Sequence, residues 1–424
     1  MKLGDKILFI LLFGLILFVS VNRHSRHPKF DYHSQIFSDK AGYHVFLPAT
    51  VYYAWNAELI PNNIDSLTGL GFRIEKNKIV TKYPLGVAIL HAPFFAIAAG
   101  IDYGIGKQEY LGYTETQHLA LNWSTAIYGT LALLLIFLMA IQQWSLNRRQ
   151  AWLLIFLVAG CSNLFYYLTR DAGMAHAYLL FCYSLILYLF YTFLADKRWL
   201  SLASTVTLSL LALSARHING VFLMVALLYF ILKYKKELTK VPKSTWQKGL
   251  VVGFILGIIP LILQLVYNLY AFESIGASGY AAESFSNWDT IKLIELWFAP
   301  NNGVFIYAPV LVIALYGVWR NGKMDPTLWL FAVLFILISV VYGAWWSPTL
   351  GCGFGHRGYT EFFVFFSLPV ALVIRSWSAR QQNLAWILGL IVAVLLFSAQ
   401  WTFDGCWHGD GPWDWVEFIR LFRI

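Results

Sequence analysis

Asp39 stands at the head of an apolar, aromatic run, in the order Ser38, Asp39, Lys40, Ala41, Gly42, Tyr43, inside a stretch (33–56) that follows the first hydrophobic segment directly. Beyond Gly42, the residues Tyr43, Val45, Phe46, Leu47, Val51, Tyr52, Tyr53 and Trp55 read as a membrane-surface helix. A carboxylate at a helix start can accept free backbone N–H bonds and sits well in the dipole field, so one reading of Asp39 is an N-terminal cap. The other is a carboxylate kept ionised at the edge of the hydrocarbon, ready to take a proton from a hydroxyl. Local sequence leaves both open.

Further polar residues occur where short linkers do not require them. Lys82 and Tyr83, ahead of Pro84, can contact a phosphate, although a lysine there can also snorkel to headgroups. Arg170 and Asp171, with His176 just beyond, stand where a hydrophobic segment begins, and their plain alternative is a local ion pair with a helix cap. Arg216 lies in a tight turn between two such segments, where an interfacial anchor would suffice. The stretch 345–361 is the most unusual. Its glycines at 351, 353, 355 and 358 let backbone approach a ligand, and His356 and Arg357 offer donors suited to phosphate. Glu361 either pairs with Arg357 or caps the helix that follows.

These residues are positioned by membrane segments. A chain of 424 residues that is 59% hydrophobic and 12% charged cannot cover a soluble globule with polar surface, so it is an integral membrane protein. Eleven apolar segments, at 7–21, 117–144, 151–168, 174–195, 199–214, 217–233, 249–272, 302–319, 327–345, 361–374 and 384–402, are long enough to span or nearly so. The expected fold is an all-α polytopic bundle of about 11 transmembrane helices, a single membrane domain over 1–424. The net charge of +9 does not indicate nucleic acid, because Lys and Arg fall in short clusters between segments. Residues 7–21 look like a signal-peptide core with no small-x-small cleavage site behind it, which predicts an uncleaved anchor.

A twelfth apolar stretch, 84–101, is short, interrupted by Pro93 and carries His91. If it lies flat, the clusters at 2–6, 148–149, 197–198, 233–248, 320–323 and 375–380 all share one side, which the positive-inside rule makes cytoplasmic. The N-terminus is then cytoplasmic, and the first outer loop (22–116) and the C-terminal tail (403–424) are extracytoplasmic. The last residues, with Asp414, Glu417, Arg420 and Arg423 three apart among apolar ones, predict an interfacial amphipathic helix. From residue 117 on, no Asp, Glu, Lys or Arg lies within an apolar core, so chemistry at one membrane face fits better than ion-coupled carriage. Cys161 and Cys182 fall inside spans, whereas Cys352 and Cys406 fall on the oxidising outer side and are expected to form a disulfide.

Together these positions resemble the GT-C class of polytopic glycosyltransferases, which includes the aminoarabinose transferases and the protein O-mannosyltransferases. The resemblance is one of pattern and covers residues 1–375. Ser38 to Tyr43 is similar to the acidic signature on that class's first juxtamembrane helix, Lys82-Tyr83-Pro84 to its Lys-Pro element, and Arg170-Asp171 to the acidic motif of its second outer loop. Asn301-Asn302-Gly303 and the run from Trp345 to Arg357 resemble stretches of bacterial members. The chain departs from the class at Asp39-Lys40, where two adjacent acids are usual, so the second carboxylate would either come from Asp171 or be absent.

The resemblance implies a bacterial inner-membrane enzyme that takes a sugar from a polyprenyl-phosphate donor to a hydroxyl of a glycan, lipid or protein acceptor. Asp39 would be the general base and the displacement would invert the anomeric carbon. Lys82, Arg357 and either Arg216 or His356 would hold the leaving phosphate. Asp171 would orient the acceptor or, with Asp39, help hold a divalent cation. Tyr83, Arg170, His176 and Glu361 complete the expected substrate-binding set. A ligase or polymerase of undecaprenyl-diphosphate-linked glycans is the nearest alternative, and a lipid-linked glycan transporter a more distant one.

Overall fold

The computed structural model describes residues 1–277, 279–280 and 283–422. Every one of the eleven apolar segments is helical, as a bilayer demands of backbone that has no water to bond with. Eight helices among the described residues are long and apolar enough to cross a membrane, and Trp199–Ala215, Asn219–Lys233 and Val310–Asn321 are shorter apolar helices. Large side chains remain exposed along Lys243–Phe272 and Ala379–Thr402, including Phe254, Ile255, Leu388 and Val394, which suits helices that face lipid. The chain is therefore an all-α integral membrane protein.

Two expected spans are interrupted. Segment 151–168 divides into Arg148–Gly160 and Leu164–Thr169, because the Ser162 hydroxyl accepts from the Leu164 N–H and turns the chain between them. Segment 302–319 divides into Val304–Tyr307 and Val310–Asn321, with Pro309, which has no N–H to donate, at the join. The break expected at Pro93 does not occur: Gly86–Gly104 is one helix of 19 residues. Side chains of Glu115–Gln142 support it on both sides of the proline, Tyr128 donating to the Leu90 carbonyl and Gln117 to the Phe95 carbonyl. These contacts, with Thr114 donating to Asp102 at 2.6 Å, set Gly86–Gly104 antiparallel against only the first half of that neighbour. The amphipathic tail is shorter than expected. It is the six-residue helix Trp415–Arg420, capped by Asp414, and Arg423 lies outside the described residues.

A small unit sits at the end of the bundle where Asp39 lies. It consists of the helices Asp39–His44 and Phe46–Val51 and an antiparallel hairpin, Arg73–Glu75 with Lys78–Val80. Two tyrosines of Lys243–Phe272 anchor it. Tyr267 bonds both the N–H and the carbonyl of Thr81, and Tyr270 accepts from Ile79 and donates to the Trp55 carbonyl. Gly42 and Gly71 let the first helix touch the segment before the hairpin. A Cβ on Gly42 would strike the Tyr83 ring and the Gly71 carbonyl, and one on Gly71 would strike the Ser38 carbonyl. That close approach brings Tyr83 beside Asp39.

Candidate active site

The juxtamembrane unit and the ends of the surrounding helices enclose a cavity of about 820 Å³. Of the residues singled out by sequence, Asp39, Lys82, Tyr83, Arg170, Asp171, His176, Arg216 and Arg357 line it. Glu361 and His356 do not.

Asp39 occupies the first position of its helix, yet its carboxylate turns away from the backbone. The Tyr83 hydroxyl donates to Oδ1, Ser38 approaches the same oxygen at 3.5 Å, and Arg357 Nη1 lies 3.1 Å from Oδ2. The capping reading is therefore not what the geometry displays. Burial by itself would raise the Asp39 carboxyl, but the Arg357 guanidinium and the Tyr83 hydroxyl outweigh it and hold the group below the ordinary carboxylate range. It is an anion at neutral pH, aimed into the cavity.

Arg170 and Asp171 are not partners of each other. Asp171 meets Lys40 at 3.0 Å, while Arg170 donates to the carbonyls of Gln400, Trp401 and Phe403 and so closes the end of Ala379–Thr402. Nor do Asp39 and Asp171 fit a divalent-cation site as they stand, since each carboxylate already faces a cationic side chain. Lys82 pairs with Glu283, a residue sequence reading passed over because nothing in the polar loop around it repeats or aligns with a helix face. Tyr43, Tyr280 and Tyr342, also unmarked by sequence, supply much of the aromatic wall.

Glu361 neither pairs with Arg357 nor caps a helix. It is fully buried and accepts from Arg216 Nη1 at 2.7 Å and Asn219 Nδ2 at 3.0 Å on Oε1, with His176 Nδ1 2.6 Å from Oε2. Arg216 also donates to the Tyr342 hydroxyl at 3.0 Å. His356 points away from the cavity, its Nε2 bonded to the Pro348 carbonyl at 2.9 Å and its ring against Tyr342 and Tyr359. Packing, not ligand approach, accounts for two of the loop glycines: a Cβ at Gly355 would meet Tyr307 and one at Gly358 would meet Tyr342. The loop is pinned by Asn302, whose amide donates to the carbonyls of Thr349 at 3.0 Å and Gly351 at 3.1 Å and accepts from the Gly355 N–H at 2.9 Å. A disulfide joins Cys352 to Cys406, tying the tail to the same loop.

This helical membrane bundle, with its short juxtamembrane helices and polar cavity at one end, shares its fold with several solved structures. Among solved structures the chain is similar to ArnT from Cupriavidus metallidurans in the apo state, with 14% identity and a TM-score of 0.54 over 94% of this chain and 65% of that one. ArnT from the same organism bound to undecaprenyl phosphate matches with 14% identity and a TM-score of 0.53, over 95% and 66%. The oligosaccharyltransferase AglB from Archaeoglobus fulgidus, in complex with an inhibitory peptide and a dolichol-phosphate, matches with 13% identity and a TM-score of 0.54, over 96% and 57%. This chain thus spans less than two thirds of the length of each. No protein-family model and no curated protein matches it.

Proposed function

We propose that the protein is an inverting glycosyltransferase that moves a sugar from a polyprenyl-phosphate donor to an acceptor hydroxyl at the extracytoplasmic face of a bacterial inner membrane. The observation that carries this reading is Asp39, an ionised carboxylate held between Arg357 and Tyr83 in a cavity at the end of a GT-C-type bundle. The acceptor hydroxyl gives its proton to Asp39 as its oxygen attacks the anomeric carbon, and the bond from that carbon to the phosphate oxygen breaks with the electron pair leaving on phosphate. Arg357 then has two anions within reach, the carboxylate and the departing phosphate. As it moves toward phosphate it stabilises the growing charge and frees Asp39 to become a stronger base. Lys82 assists from the loop beside Tyr83, once drawn off Glu283. Asp171 and Lys40 flank the acceptor side. Net inversion follows from the single displacement.

The test is transfer by the purified full chain in lipid nanodiscs, supplied with labelled sugars on polyprenyl phosphate or on polyprenyl diphosphate. Release of polyprenyl phosphate that disappears in Asp39→Asn supports the reading. Use of the diphosphate donors alone would assign a ligase or polymerase instead, and no turnover with either class would sink both.

A further inference from the structure

The cations of the cavity are not all matched. Six line it: Arg23, Lys40, Lys82, Arg170, Arg216 and Arg357. Four meet a carboxylate, Lys40 on Asp171, Lys82 on Glu283, Arg216 on Glu361 and Arg357 on Asp39. Among the described residues Arg23 and Arg170 meet none. Arg23 donates to His27 Nε2 at 2.6 Å and His33 Nδ1 at 3.1 Å, and Arg170 to three backbone carbonyls. All these acceptors are uncharged. Burial, with Arg23 adding to it, holds His33 down to about 4, so its imidazole is neutral at pH 7.

Two plainer accounts of Arg23 fail. It lies in the last turn of Leu3–His24, where a basic residue suits the helix dipole and can snorkel to headgroups, yet it is half-buried and turned to the cavity wall. His27, Asp31 and His33 offer ligand atoms within 4.8 Å of one another, which suggests a metal, but the Arg23 guanidinium already donates to a ring nitrogen of each histidine. A divalent cation held by the remaining ring nitrogens and Asp31 would sit beside a fixed positive charge. Asp31 and Asp404 attract Arg23 and Arg170, respectively, from nearby without forming an ion pair with either, so guanidiniums bonded only to neutral acceptors keep part of their attraction for an anion.

We propose that the wall carrying Arg23 and Arg170 is an oxyanion subsite for the second substrate, which accordingly bears a phosphate or carboxylate group. This rests on the glycosyl-transfer reading of the cavity and deepens it by assigning the acceptor to the anionic glycans or glycolipids. The donor phosphate belongs elsewhere on that reading, with Arg357 and Lys82, and Arg23 makes no hydrogen bond or ion pair with Arg357, Asp39 or Tyr83.

Arginine-directed labelling tests it on the unmodified protein. The full chain in phosphatidylcholine nanodiscs is treated with phenylglyoxal, and the Arg23 peptide is followed by mass spectrometry with inorganic phosphate, glucuronate, undecaprenyl phosphate or magnesium chloride present. Phosphate and glucuronate should each slow Arg23 modification about tenfold, and should do so equally when undecaprenyl phosphate is already bound. Calorimetry should show phosphate affinity falling about tenfold in Arg23→Gln and staying unchanged in Lys29→Gln, an exchange of a nearby lysine that does not line the cavity. Arg23 left unprotected by both small anions overturns the proposal. So does protection by undecaprenyl phosphate that competes with inorganic phosphate, which would put the donor there, or protection by magnesium alone, which would make it a metal site. None of these readouts needs turnover, so their failure is distinguishable from failure of the donor assay.

Discussion

The cavity and the layer beneath it contain the same pair of groups, an arginine and a carboxylate, in two different conditions. In the pair Arg216 and Glu361 the carboxylate is sealed, although Arg216 reaches the cavity with 18% of its side chain accessible: Glu361 has no exposed side-chain surface, and both of its oxygens are filled from three directions, by Arg216, Asn219 and His176. Arg357 and Asp39 are open, with 22% and 26% of their side chains accessible, and Asp39 shares its charge with one arginine and a phenol. The sealed pair fixes where three chain segments end. The open pair can change partners without exposing a stranded charge, which a reacting group must do. Identical chemistry thus becomes scaffold or machinery according to how many of its acceptors are already filled and whether water reaches it.

Breaking the sealed pair should cost the most. Glu361→Ala leaves Arg216 and His176 without their anion in a buried place, and the folded protein should lose about 3–5 kcal/mol of stability. Thermal melts in detergent check this, and an unchanged melt would mean water already serves those groups. Asp39→Asn is expected to do the opposite: a near-wild-type melt with transfer slowed about 10²-fold or more, because the amide fills the space but takes no proton. Normal turnover in that variant would return Asp39 to a structural role.

Smaller effects sharpen the contrast. Arg357→Ala and Lys82→Ala should each weaken donor binding by about 1.5–3 kcal/mol, with Arg357→Lys failing too if two of its N–H groups grip phosphate together. Donor titration decides it, and unaltered affinity in both would move the phosphate elsewhere. Tyr83→Phe removes only one donor from Asp39, worth about 0.5–1.5 kcal/mol, and should displace the acid limb of kcat/KM to higher pH. The sign follows from Asp39 being held below its usual range in the folded chain. The Asp39 share of stability is complete above about pH 4, where the unfolded carboxylate is ionised, and is lost as pH falls through the lower folded value. A limb that stayed in place would exclude Tyr83 as the group that keeps Asp39 ionised.

Much of this was readable in the sequence because lipid leaves a chain few choices. Apolar runs of span length must be helices, and charges left over at their ends are conspicuous, which is how Asp39, Lys82, Arg216 and Arg357 could be picked out. Pairing was not readable. Glu361 takes Arg216 from 145 residues away and His176 from 185, and no local pattern distinguishes those partners from Arg357, four positions off in sequence. The glycines of the 351–358 loop looked alike on paper, but Gly355 and Gly358 answer to tyrosine rings, and only contacts reveal that. Ser162 turns the chain through one hydroxyl that donates to the Val158 carbonyl and accepts from the Leu164 N–H, an event too small to disturb an apolar profile.

Asn302 gives the molecule a built-in clock. An asparagine followed by glycine is the sequence most prone to deamidation, in which the next backbone nitrogen attacks the side-chain amide and ammonia leaves. Here that nitrogen, on Gly303, is engaged with the Ala299 carbonyl at 2.8 Å and Asn302 itself is buried, so the folded protein ages slowly at this point. Once the reaction occurs the damage is specific. The side chain that gave two hydrogen bonds to the carbonyls of Thr349 and Gly351 becomes a carboxylate facing them, and the segment carrying Arg357 loses its pin while the Cys352–Cys406 link still holds it to the tail. Aged protein would then keep its covalent frame and lose the alignment of its open arginine.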